Sequence, residues 1–166
     1  MVKPKTVFII VAFLTVGLIG FIILWPSETD RVKKQFKILA HRFEKEPNET
    51  NLVSAAKANK SKELFAPIFT IHAPAYDFFR EIAAVDLSTL ILTARAQYSK
   101  MSVDFYDMTI TFENPETAAV ILTAKLTGQI TTGEWVEDIH ELACTLEKIE
   151  GTWLFRKIEI VEILEK

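Results

Sequence analysis

Glu134–Leu164, EWVEDIHELACTLEKIEGTWLFRKIEIVEIL, decides the fold. Apolar and polar residues alternate on both sides of Glu150-Gly151, and the run is rich in Val, Ile, Thr, Phe and Trp. A period of two in β-favouring residues predicts two strands, Glu134–Glu150 and Thr152–Leu164, joined by a tight glycine turn. Successive side chains of a strand point to opposite faces. Val136, Asp138, His140, Leu142, Cys144 and Leu146 therefore share one face, and Trp135, Glu137, Ile139, Glu141, Ala143 and Glu147 share the other. The first set is the more apolar and is expected to face a core.

The same pattern extends upstream. Val103–Phe112 and Thr117–Thr131 read as two further strands, turned at Glu113-Asn114-Pro115-Glu116 and at Thr132-Gly133. Four strands with short connections make an antiparallel meander, and long strands twist and curl. Gly128, inside a long strand, is expected to mark a bulge. No glycine pattern of the GxGxxG or GxxxxGK[ST] kind occurs, which excludes the usual dinucleotide and P-loop sites.

Before the meander the period is helical. Ser27-x-x-Asp30 is a capping pattern, and Val32, Phe36, Leu39 and Phe43 form one apolar face. Pro47 closes this helix. A shorter helix capped by Asn48 or Thr50 is expected to turn Leu52, Ala55 and Ala56 inward and Lys57, Lys60 and Lys62 outward. Leu64–Ala73 reads as a strand with an edge or bulge at Pro67. A third helix, Asp86–Tyr98, capped by Asp86, carries Leu87, Leu90, Ile91, Ala94 and Tyr98 on its inner face.

The 166-residue chain has a mean hydropathy of +0.20 with 25% charged residues. The positive mean comes from Thr6–Trp25, where 16 of 20 residues are apolar and none is charged. That length matches a membrane-crossing helix and exceeds the apolar core of a signal peptide. Lys3 and Lys5 precede the block and Glu28 and Asp30 follow it, so the N-terminus is expected inside and the rest outside. The expected organisation is a cytoplasmic tail (1–5), a transmembrane helix (6–25) and one extracytoplasmic domain (27–166), on a bacterial-type inner membrane. Beyond the two lysines, 17 basic residues face 22 acidic ones, which argues against a nucleic-acid partner.

Leu146, Lys148, Gly151, Trp153 and Ile158 form an ending, LxKxxGxWxxxxI, in which the glycine makes the turn and the tryptophan packs the sheet. With the helices Arg31–Glu46 and Asp86–Tyr98, it resembles the nuclear transport factor 2-like superfamily, which includes ketosteroid isomerase, scytalone dehydratase and SnoaL-type cyclases. The resemblance spans roughly residues 29–164. It implies an α+β fold, three N-terminal helices packed on a curled antiparallel sheet that closes a cone-shaped cavity. Enzymes of the superfamily place a carboxylate or histidine base in that cavity. Their catalytic patterns do not align here residue for residue, so no catalytic residue is carried over.

The ligand-pocket candidates are His72, Tyr76, Tyr98, Asp138 and His140. His140 is a candidate base with Asp138 beside it; the plainer reading is a hydrated rim. His72 with Tyr76 suits a polar ligand group at a cavity mouth; the plainer reading is a turn. Tyr98 reads as a core aromatic with its hydroxyl at the edge. His140 and Cys144 stand four apart, about 13 Å on a strand, too far to share one metal ion. No metal or other cofactor is expected. The leading expectation is a membrane-anchored binding or scaffold module for a protein partner or a small apolar ligand, similar in layout to periplasmic scaffold subunits of type IV secretion systems. The alternative is a cofactor-free isomerase, dehydratase or cyclase acting on a small hydrophobic substrate. Trp135 and Ile139 mark the sheet's outer face as a candidate homodimer surface.

Overall fold

The computed structural model describes residues 26–163. Thr6–Trp25 lies outside them, and so does the anchor read there. Among the described residues no helix is long and apolar enough to cross a membrane. The chain divides into two compact units after Arg31.

On the first side, the helix start is built as a capping box. The Ser27 hydroxyl accepts the Asp30 amide hydrogen at 3.1 Å, and the Asp30 carboxylate accepts from the Ser27 amide at 3.3 Å and from its hydroxyl at 2.6 Å. Helix α1 runs Glu28–Phe43.

On the second side, Val32, Phe36 and Leu39 of α1 are buried and Phe43 packs against the same core, as the i, i+4, i+7 spacing requires. Helix α2 is Asn51–Ser61, capped by the Thr50 hydroxyl, which accepts from the Val53 amide at 3.4 Å. Its inner face differs from the expected one. Ala58 and Ser61 are buried, Leu52 is 81% exposed, and Ala55 and Ala56 face out. The inward stripe runs through Ser54, Lys57, Ala58 and Ser61, because polar partners rather than apolar area set the rotation of this helix. Lys57 is accordingly half-buried and paired, not a solvated lysine.

Strand β1 is Phe65–Ala73 and β2 is Phe78–Ala83; a single turn, Pro74–Tyr76, and Asp77 in the left-handed region join them into an antiparallel hairpin. Strand β2 was not expected from the sequence. It is a solvated edge strand with one buried residue, Ile82, so it shows no apolar alternation. Helix α3 is Ala84–Ala96, starting two residues earlier than expected; Ala83 is its N-cap, without a side-chain cap, and Asp86 sits in the first turn instead. Leu90 is 41% exposed, and the buried stripe is Leu87, Ile91 and Arg95.

Strands β3 (Tyr98–Asn114), β4 (Thr117–Ile130), β5 (Trp135–Ile149) and β6 (Thr152–Ile163) form the meander. The sheet order is β2-β1-β6-β5-β4-β3. It is mixed rather than purely antiparallel, because β1 lies parallel to β6. Pro67 falls where the β1–β6 register shifts, between Phe65 and Thr70, so it marks a bulge. Gly128 marks none, since its pairing with Met101 and Val136 is in register. A side chain there would meet the Tyr98 ring at 2.6 Å and the Lys100 carbonyl oxygen at 3.0 Å, so close approach requires the glycine. The neighbouring shift belongs to β3, between Tyr98 and Lys100; two more lie at Tyr106/Thr109, where Asp107 has φ 52°, and at Phe112/Asn114. Beside them the Lys45 backbone exchanges hydrogen bonds with Met101, at 2.8 and 3.0 Å.

The concave face of the sheet carries the core. Phe36 meets Phe155 and Phe105 edge-on at 4.9 and 5.4 Å, and Phe65 packs on Phe69 and Phe155. Trp153, Leu122, Leu146, Val120 and Cys144 complete it. Over the described residues the fold is α+β, three helices against a curled mixed sheet.

Candidate functional site

The sheet sorts the sequence-predicted site residues onto opposite faces. His140 alternates with Leu142, Cys144 and Leu146, whose side chains join the core, so it stands on the concave face. Its side chain is 20% exposed. Nδ1 is shut from solvent and has no hydrogen-bond partner among the described residues, and Nε2 lies 3.8 Å from the carboxylate of the exposed Asp138. That separation is an electrostatic pairing and too long for a hydrogen bond. A buried, unpaired polar nitrogen is costly and rare, which makes it a pointer to function.

His72 goes the other way. Phe69, Ile71 and Ala73 of β1 face the core, so His72 lies on the convex face. It is inside a strand and not in a turn. Its Nδ1 is 3.5 Å from a Glu159 carboxylate oxygen, and Phe79 stands edge-on to its ring at 5.8 Å. The Lys157 ammonium, together with His72, holds the Glu159 carboxyl below its usual range against a smaller effect of burial. Tyr76 is 62% exposed on the hairpin tip. Tyr98 begins β3 and does not end the third helix; its ring lies over Gly128. Asp138 and His140 thus come together, and His72, Tyr76 and Tyr98 do not join them.

A cleft of about 330 Å³ opens on the concave side between α1 and β3. Phe36, Ala40, Val103, Phe105 and Met108 line it, with Lys33, Lys37 and Asp104 at its lip. His140 pairs with Ala124, and Ala124 with Phe105, across β5, β4 and β3. The imidazole and the cleft's Phe105 therefore share one cross-strand row, two strand spacings or about 10 Å apart. Ala124 is the residue between them in that row.

Sequence reasoning read Phe36 as core and passed over Lys33 and Lys37. Their i, i+4 spacing around Phe36 was the available signal. It also missed a buried polar cluster under α2 and α3. The Arg95 guanidinium donates to the backbone carbonyls of Arg42, Phe43 and Glu44, to the Ser54 hydroxyl and to the Glu49 carboxylate. Lys57 donates to Glu49 at 2.7 Å, and the Lys45 ammonium donates to the carbonyls of Arg95 and Tyr98. Burial pushes the Glu49 carboxyl up, and the hydrogen bonds from Lys57 and Arg95 outweigh it, leaving the group below its usual range. Every strong donor in this cluster has a protein acceptor, which marks it as structural.

On the convex face, Trp135 is 60% exposed but Ile139 is only half-exposed. Between and beside them run the ion pairs Lys125–Glu137 at 2.9 Å and Arg156–Glu147 at 3.7 Å.

No family model matches the chain, and no curated protein matches it in sequence. Solved structures do match its fold. A candidate dehydratase of the nuclear transport factor 2-like family from Streptomyces avermitilis superposes with a TM-score of 0.62 at 10% identity, over 81% of this chain and 97% of that one. A candidate scytalone dehydratase from Novosphingobium aromaticivorans gives 0.64 at 14% identity, over 83% and 85%. A candidate calcium/calmodulin-dependent protein kinase II association domain from Xanthomonas campestris gives 0.62 at 12% identity, over 81% and 89%. The fold is that of nuclear transport factor 2-like proteins.

Proposed function

We propose that the domain binds a small, largely apolar molecule on the concave face of its sheet and acts on it by proton transfer at His140, without a cofactor. The observation behind this reading is the His140 nitrogen, enclosed on the core side of β5 and without a partner among the described residues, with the Asp138 carboxylate beside the other nitrogen. Histidine is the side chain suited to take and return a proton near neutral pH. In this reading a neutral imidazole takes a proton from a ligand carbon. It returns that proton to another carbon, an isomerisation, or to a departing hydroxyl that leaves as water, a dehydration. Two of the three structures named above are candidate dehydratases, which supports this reading over a scaffold. The test is hydrogen–deuterium exchange in heavy water, followed by NMR, with a panel of small apolar ketones and hydroxyketones. Exchange above the buffer rate is expected for the full chain and lost in His140→Gln. A panel that shows no protein-dependent exchange overturns the reading.

A second reading, a binding module or scaffold held at a membrane, is favoured by the rings of Phe36, Phe65, Phe69 and Phe155, which fill much of the concave face. With it goes the proposal that Thr6–Trp25 is a single-pass anchor, with residues 27–166 outside a bacterial-type inner membrane and a homodimer formed through the sheet. Resistance of the chain to alkaline extraction, and protease access from the outer side only, test the anchor and its direction. Sedimentation equilibrium of the chain and of Trp135→Glu tests the dimer.

A further inference from the structure

The cleft between α1 and β3 has a chemical asymmetry that its apolar floor does not account for. Lys33 and Lys37 stand one helical turn apart on α1, on either side of the buried Phe36, and both are exposed at the cleft's lip. Among the described residues neither lysine has an ion-pair partner. Asp104 belongs to the same stretch of β3, but it alternates with Val103 and Phe105, so its side chain stands on the convex face opposite Lys125, which is itself paired with Glu137. The floor below the two ammonium groups is aromatic and soft: Phe36 and Phe105 meet edge-on at 5.4 Å, and Met108 lies beside them. A volume of about 330 Å³ is at the small end of ligand pockets.

We infer that this cleft selects a small apolar carboxylate, its aromatic or aliphatic body on Phe36, Phe105 and Met108 and its acid group between Lys33 and Lys37. The inference rests on the small-ligand reading above and names the ligand class for it. An apolar body alone has no use for two unneutralised cations, and a highly charged anion has no use for an aromatic floor. A monoacid with a ring or short chain satisfies both. The lysines bind it as mobile point charges at a wet lip, so the attraction is moderate and weakened by salt. Placed there, the ligand body extends along the sheet towards Ala124 and His140, in the row they share with Phe105.

Equilibrium dialysis of radiolabelled phenylpropionate against the full chain in lipid nanodiscs, with empty nanodiscs subtracted, tests this, with phenylpropanol as the uncharged twin. The acid is expected to bind about tenfold more tightly than the alcohol at low salt. In Lys33→Gln/Lys37→Gln that preference disappears and the alcohol binds as before; about 0.5 M salt has the same effect on the unchanged chain. Equal binding of acid and alcohol, or a preference that survives the double substitution, overturns the carboxylate assignment and leaves the apolar cleft standing. Binding of neither compound overturns both the assignment and the small-ligand reading.

Discussion

Glu49 and Arg95 are 46 residues apart in the chain and meet as one buried ion pair, their side chains 4% and 1% exposed. Around that contact the end of α1, the start of α2 and the end of α3 are tied together through three carbonyls, a serine hydroxyl and Lys57.

Removing the charge on Glu49 leaves a buried guanidinium without its counter-ion. Glu49→Gln is expected to cost about 3 kcal/mol in chemical denaturation at neutral pH. The folded state holds this carboxyl below its usual range, so its contribution is complete above the ordinary carboxylate pKa and is lost as pH falls through the lower folded value. The difference between Glu49→Gln and the unchanged chain should therefore shrink below about pH 4.

Gly128→Ala tests the close approach of β3 to β4. The added methyl group meets a ring carbon at 2.6 Å and a backbone oxygen at 3.0 Å. The expected loss is about 1–3 kcal/mol. Combining it with Tyr98→Ala should recover part of that loss, since the ring contact goes and the carbonyl remains. Additive losses in a double-mutant cycle would show that the ring is not the obstacle.

Phe36 is 2% exposed, with Phe155 and Phe105 packed edge-on against it. Phe36→Ala should lower stability by about 3–5 kcal/mol and open the cleft between α1 and β3 inward. Phe36→Leu keeps most of the volume and should cost much less. Thermal and urea unfolding of the pair separates loss of volume from loss of the aromatic floor.

Cys144 faces the core, and burial pushes its thiol up to about 12. The thiolate is the reactive form. In native protein a maleimide or aromatic disulfide reagent at about pH 8 should leave Cys144 unmodified, and label it at once in denaturant. Labelling in the native state would mean that the centre of β5 opens to solvent.

The C-terminal sheet was legible because its residues obey one rule at a time. From Thr117 to Ile163 the alternation, the aromatic and β-branched residues and the turns at Gly133 and Gly151 agree with one another, and the strands formed there. Leu142, Cys144 and Leu146 face inward as read, and His140 with them. Legibility failed where a polar partner far along the chain decides the local geometry. Leu87, Ile91 and Arg95 are spaced like an apolar stripe, but the third member is cationic, and only Glu49 explains how it is buried. The same partnership rotates Lys57 inward and Leu52 outward. Phe78–Ala83 escaped notice because an edge strand exposed on both faces has no burial pattern to print into its residues. His72 and His140 look equivalent in sequence, and one strand's alternation against the core places them on opposite sides of the sheet.

The irregularities of β3 have a consequence for how copies of this chain keep apart. A 17-residue edge strand is a long strip of peptide groups open to any other strand that comes alongside. Here the strip is broken into short lengths by the shifts at Tyr98/Lys100, Tyr106/Thr109 and Phe112/Asn114, and is occupied at Met101 by Lys45. An incoming strand would lose register within a few residues and meet the left-handed kink at Asp107. The bulges therefore guard the rim of the sheet against edge-to-edge aggregation, and straightening one of them should make the protein prone to fibrillar association.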